Sequence, residues 1–127
     1  MGEIVLAAKV THVPSMFISE QPGPNQGCRD KAIEGLKRIG AACREQQVDT
    51  IIICDTHWLV NAGYHINAKP DMSGVFTSTE FPHFLSNMGF NHVGDPELGQ
   101  LIAETASKNG VKTFCHHDVE TLDLQYG

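Results

Sequence analysis

Apolar residues fall in two kinds of run along this chain. Ile4-Val5-Leu6-Ala7-Ala8 and Ile51-Ile52-Ile53-Cys54 are short, unbroken and rich in branched side chains. Runs of that length and composition suit strands covered on both faces, as in a parallel sheet. Between them, over residues 29–46, Ala32, Ile33, Leu36, Ile39, Gly40 and Cys43 recur at helical spacing, with Lys31, Glu34, Lys37, Arg38 and Glu45 opposite. That pattern predicts an amphipathic helix. Strand, loop, helix and strand over residues 3–55 form a crossover unit, which makes its two strands parallel and sets both carboxyl ends on one edge. The intervening residues 13–27 hold Pro14, Pro22, Pro24, Gly23 and Gly27 and read as a loop, placed after His12 where it could cover a site.

The second half continues the alternation. Residues 61–68 predict a strand with Tyr64 and Ile66 on one face, and residues 75–78 a shorter one. The stretch Glu80-Phe81-Pro82-His83-Phe84 is broken by proline and belongs to a loop or an element start. Asp95-Pro96-Glu97 opens a helix, with Asp95 as N-cap and Pro96 at the first helical position. Its buried stripe is Leu98, Leu101, Ile102, Thr105 and Ala106, and Gly110 stops it. Residues 111–115 form a further strand, and Leu122, Leu124 and Tyr126 alternate as a last one. The expectation is a single α/β domain over residues 1–127, with a mostly parallel or mixed sheet flanked by helices.

Composition narrows the function. With 127 residues, 41% of them apolar and 19% charged, the chain has material for one modest core and is not of disordered type. Its net charge of −6, with Lys and Arg scattered, argues against nucleic acid and anionic membrane surfaces as partners. The start lacks the pattern of a secretory signal, and the apolar runs are far shorter than a membrane span, so a cytoplasmic location is expected. Cys28, Cys43, Cys54 and Cys115 show no close pairing and read as reduced core residues. Phosphate-loop, dinucleotide-fold and serine-hydrolase signatures are missing.

Seven histidines are the oddity. Two of them, His12 and His57, each follow a predicted strand within a Thr-His pair, at the rim where open α/β sheets place ligands. Adjacent parallel strands lie only ~4.8 Å apart, so the two imidazoles can approach one another if their strands are neighbours. Imidazole is a good ligand for Fe(II) or Zn(II). The plain alternative, hydrogen bonding to nearby backbone at a strand end, stays open on position alone. Asp55 could orient an imidazole from behind, ligate directly or serve a turn. His116 and His117 point opposite ways on an extended chain and read as a solvated loop with Asp118. His83 could line an aromatic-binding pocket or simply pack in its loop. His65 reads as structural and His92 as exposed, while Trp58 either walls a pocket or joins the core.

Five segments together carry a family resemblance. They are Ala8-Lys9-Val10-Thr11-His12-Val13-Pro14-Ser15-Met16, Asp55-Thr56-His57-Trp58-Leu59-Val60-Asn61, Tyr64-His65-Ile66-Asn67, Phe81-Pro82-His83-Phe84 and Asp95-Pro96-Glu97-Leu98-Gly99-Gln100-Leu101-Ile102. In this order the chain resembles the class III extradiol ring-cleavage dioxygenases, the protocatechuate 4,5-dioxygenase β-subunit-like family. The resemblance runs along essentially the whole chain and corresponds to about the first half of a typical member. It implies a non-haem Fe(II) centre with two histidines and one carboxylate, His12 and His57 matching the histidines. It further implies a catechol such as 3,4-dihydroxyphenylacetate and O₂ as substrates, with ring opening to a semialdehyde in aromatic-compound catabolism.

The family's glutamate ligand and its acid/base histidine belong to the second half and have no counterpart in residues 1–127. Several relatives place an Asp-His-Gly histidine near Gln125-Tyr126-Gly127; Tyr126 stands there in this chain, able to hydrogen-bond substrate but a poor base near neutral pH. The resemblance therefore implies an N-terminal portion, inactive alone, that forms a homo-oligomer or is completed by another chain. The alternatives are a non-enzymatic metal- or catechol-binding remnant of the same family, a purely structural remnant, and a zinc hydrolase with Asp55 as third ligand.

Overall fold

A computed structural model describes residues 2–55, 60–83 and 85–118. The chain divides into two units, Met1–Asp55 and Thr56–Gly127.

The first unit carries two helices, α1 (Ser15–Glu20) and α2 (Asp30–Glu45). The second is the helix predicted from its apolar spacing, one residue shorter at each end. The first is new: the proline-rich stretch expected to be irregular starts with a short helix after Pro14, a residue whose fixed φ suits a helix entry. Ser19, 2% exposed, ties that stretch to the start of α2. Its hydroxyl accepts from the Arg29 backbone N–H at 2.9 Å and donates to Asp30 Oδ1 at 3.4 Å, while Arg29 Nε donates to Ser15 Oγ at 2.9 Å.

The two β-branched runs depart from expectation. Among the described residues neither 4–8 nor 51–54 enters a ladder, so the predicted parallel crossover over 3–55 is not formed there. Ile4 is 87% exposed, and Ile51, Ile52 and Ile53 are 71%, 61% and 78% exposed. The physical reason is a missing counterpart: a strand holds through ladder hydrogen bonds and covered faces, and this unit offers only helices.

The second unit holds β1 (Tyr64–Asn67), β2 (Asp71–Phe76), β3 (Met88–Val93), α3 (Pro96–Lys108) and β4 (Thr113–His116). The first and last strands pair in parallel, with Tyr64 opposite Thr113 and Asn67 opposite His116. The middle two pair antiparallel, Asp71 opposite Val93 and Phe76 opposite Met88. The architecture is thus mixed α/β, with parallel and antiparallel sheets and helices. The strand expected at 75–78 begins earlier, at Asp71, and β3 escapes the sequence pattern because glycine and asparagine interrupt its apolar alternation. Pairing rescues it: Phe90 lies opposite Gly74, and a Cβ at Gly74 would stand 3.0 Å from the Phe90 ring. The strand expected around Leu122 to Tyr126 lies outside the described residues.

α3 forms as its punctuation predicts. Asp95 caps it, accepting from the Leu98 backbone N–H at 2.9 Å. At the other end Gly110 takes a positive φ of 81°, and backbone bonds from Val111 to Ala106 and from Gly110 to Ser107 close a Schellman turn. The helix then lies directly on the parallel pair. A Cβ at Gly99 would be 2.7 Å from the Ala68 Cβ and 3.6 Å from Ile66 Cγ2. Thr113 Oγ1 donates to the Ala103 carbonyl at 2.9 Å, so Ser107 Oγ, 2.6 Å away, donates to Thr113. Among the described residues of this unit, Ala68, Leu85 and Ala103 are the buried apolar ones.

Two substitutions test this packing. Gly99→Ala forces the new methyl against Ala68 and should cost ~1–3 kcal/mol. Asp95→Ala removes the cap alone and should cost ~1 kcal/mol. Urea unfolding followed by circular dichroism measures both, and an unchanged midpoint for Gly99→Ala contradicts the close approach.

Candidate functional site

His12 leaves the first β-branched run and directly precedes Val13-Pro14, where α1 begins. Its Nε2 stands 4.0 Å from Asp55 Oδ1, with side chains 44% and 29% exposed. That separation lies within Coulombic reach and beyond a direct hydrogen bond. The two candidate residues thus meet in the first unit: the chain returns at Asp55 to the place it left at His12. An imidazole nitrogen and a carboxylate oxygen are the donor types that non-haem metal centres use, so the chemistry of the pair fits a metal ion. Among the described residues no group of three or more His, Cys, Asp or Glu is gathered for one. His57 and Trp58 lie outside the described residues, as does Tyr126.

His83 sits in a closed turn of the second unit. The Phe81 backbone N–H donates to Ser78 Oγ at 3.0 Å, and Leu85 N–H donates to the Phe81 carbonyl at 2.9 Å. Ser78, 1% exposed, donates its own N–H to the Leu85 carbonyl at 2.8 Å. This locks Phe81-Pro82-His83 in a fixed bend, with the His83 ring exposed and edge-on to Phe81 at 6.5 Å between centroids. Sequence reasoning offered a pocket or a packed loop; in this hydrogen-bonded bend the imidazole is exposed.

A histidine pair that the sequence did not announce joins β1 to β4. His65 Nδ1 lies 2.9 Å from His116 Nε2, and the His65 ring also packs on Phe114 at 4.8 Å. His116 was expected in a solvated loop and instead ends β4, half-buried. Burial holds its pKa below the ordinary value, and positive charge on His65 and His117 lowers it further. Its neighbour His117 turns the other way, donating from Nε2 to Gln100 Oε1 at 3.1 Å, with Cys115 Sγ at 3.6 Å. The signal that could have found the pair is strand parity: residues 65 and 116 each fall on the alternate positions of their strands. What parity lacks is register, which only the ladder supplies. His92 is exposed, as expected.

Comparison with known proteins agrees with the motifs. The family described as "Catalytic LigB subunit of aromatic ring-opening dioxygenase" matches residues 6–127. A 3,4-dihydroxyphenylacetate 2,3-dioxygenase from Escherichia coli is 57% identical over 127 residues, all of this chain and 46% of that protein. The chain therefore spans about half the length of the curated relative it matches.

The His12–Asp55 contact is long and partly solvated, so by itself it contributes little to stability. Asp55→Asn should change the unfolding free energy by less than ~1 kcal/mol. A thermal melt showing a larger loss would mean that the carboxylate holds the first unit together.

Proposed function

Because the chain belongs to the family of catalytic LigB subunits of aromatic ring-opening dioxygenases, we propose that it is the N-terminal portion of one α/β dioxygenase domain, cleaving a catechol such as 3,4-dihydroxyphenylacetate with O₂ in the cytoplasm. The observation that carries this reading is the 57% identity along the entire chain to a protein of that activity.

In this reading His12 and His57 hold Fe(II), and Asp55, its Oδ1 4.0 Å from His12 Nε2, orients that ring. Bound there, Fe(II) would bring the electron-rich diol and O₂ together, the chemistry that opens the ring beside the two hydroxyls. His12 contributes its imidazole just before α1, and the Ser19 tether holds the following stretch against α2. His83, carried on its locked bend, and Tyr126 contact the substrate, the phenol as a hydrogen-bond donor or acceptor. By the family resemblance, the anionic third ligand and the acid/base group belong to the part of the fold that the chain does not span. Two imidazoles alone leave the charge of a divalent ion unbalanced, so the complete enzyme needs that remainder, and the chain either forms a homo-oligomer or is completed by another chain.

The exposed Ile4 and Ile51–Ile53 side chains support the same conclusion from a different side. Apolar runs of strand length left in water are surfaces for further structure to cover.

Calorimetric titration with Zn(II), a redox-inert probe, should show His12→Ala and His57→Ala each weakening binding by at least ~10-fold. Loaded anaerobically with Fe(II) and given 3,4-dihydroxyphenylacetate and O₂, residues 1–127 should yield no yellow ring-fission product, while the polypeptide extended by the remaining half should yield it. Metal binding without oxygen consumption in the extended protein would favour a non-enzymatic remnant. Product from residues 1–127 alone would overturn the missing-ligand argument.

A further inference from the structure

The parallel register places the His65, Asn67, Phe114 and His116 side chains on one face of the β1–β4 ladder. α3 covers the other face, where Gly99 approaches Ile66 and Thr113 bonds to Ala103. On the open face the two imidazole rings are inclined by only 11°, with centroids 5.1 Å apart. Their nearest nitrogens are 2.9 Å apart, so the centroid spacing exceeds the N···N spacing by about two ring radii. The nitrogens therefore meet head-on in nearly one plane. That alignment suits one proton shared along the N···N line. Two ligands of a common cation would instead converge on a point off that line.

The location of the proton follows from the neighbours. His65 Nε2 lies 3.3 Å from the Ala62 carbonyl, which can only accept, so Nε2 carries a hydrogen. A neutral His65 then has a bare Nδ1, and His116 Nε2 must donate to it. The chain of donation runs from His116 to His65 to the backbone of residue 62, tying β4 to the segment leading into β1.

We propose that His65 and His116 form a proton-controlled latch across the β1–β4 ladder, closed while at least one of the two rings is neutral and opened when both are protonated. A single added proton leaves the bond in place, because a neutral His116 can carry its hydrogen on Nδ1 and accept at Nε2 from a protonated His65. With both rings protonated, two N–H groups face each other and neither has an acceptor. Protonation of His116 at its own Nδ1 leaves the bond intact but places charge beside His65. The lowered His116 pKa has the same sign: the fold prefers this ring neutral, so the contribution is present above the ordinary value of 6.5 and is lost as pH falls from there through the lowered folded value. Other titratable or charged groups nearby are Lys112, whose Nζ lies 5.4 Å over the Phe114 ring, and Cys115, His117 and Asp118 along or just after β4. Tyr64 lies on the α3 side of β1, and Glu97, Glu104 and Lys108 are carried by α3 behind the ladder.

The test is amide hydrogen exchange on the 127-residue chain. The Ala68 N–H donates to the His116 carbonyl at 2.7 Å and the Tyr64 N–H to the Lys112 carbonyl at 2.9 Å, so these two amides report both ends of the ladder. Corrected for intrinsic exchange, their protection should drop by about tenfold as pH falls below ~6, where the second ring of the facing pair takes its proton. In His65→Gln the side-chain carbonyl can accept the same His116 N–H without titrating, and the drop should vanish. Nitrogen-15 spectra of the parent chain should show hydrogen on His65 Nε2, and none on its Nδ1, near neutral pH. A flat profile in the parent or an equal drop in His65→Gln would overturn the latch, and hydrogen on His65 Nδ1 near neutral pH would overturn its proton assignment. Should His65→Gln fail to fold, the nitrogen spectrum and the parent profile decide alone.

Discussion

No side chain separates α3 from the parallel pair where Gly99 meets Ala68. The contact is backbone against methyl, and it sets the distance of the whole helix from the strands. From it follow the reach of Thr113 to the Ala103 carbonyl and the hydroxyl relay from Ser107. β4 is bound to β1 by ladder bonds and to α3 by this relay, so its register is fixed from two sides. A wider residue at position 99 would move the helix outward and break the relay before it disturbed the ladder, because side-chain bonds at 2.6 and 2.9 Å tolerate little displacement.

Local punctuation was readable and long-range partnership was not. Asp95-Pro96 and Asn109-Gly110 bracket α3 through chemistry that acts within a few residues, and the spacing of Ala32, Ile33, Leu36 and Ile39 marks α2 by the same local logic. By contrast, Ile51–Ile53 has the composition of a buried strand, yet composition cannot say what lies beside it. β3 shows the reverse error: its side chains look unsuited to a strand, but Gly74 opposite Phe90 makes room for the ring and the pair forms.

The candidate site divides along the same line. Its Thr-His signature and the flanking motifs were visible in the sequence and point to the family that the comparison identifies. The nearness of His12 to Asp55 required the return of the chain after α2, and the His65–His116 pair required a parallel register between segments some fifty residues apart. In both cases the residue type was evident and the neighbour was not. Pairing of distant segments is a tertiary fact, which no periodicity encodes.

The exposed isoleucine run also bears on self-association of the polypeptide. Thr50-Ile51-Ile52-Ile53-Cys54 is uncharged, free of proline and strongly β-forming, a composition that stacks readily into cross-β fibrils between molecules. Asp49 and Asp55 stand at its two borders. In an in-register stack each would face its own copy, a column of like charges at both margins, so these two carboxylates act as gatekeepers of the segment.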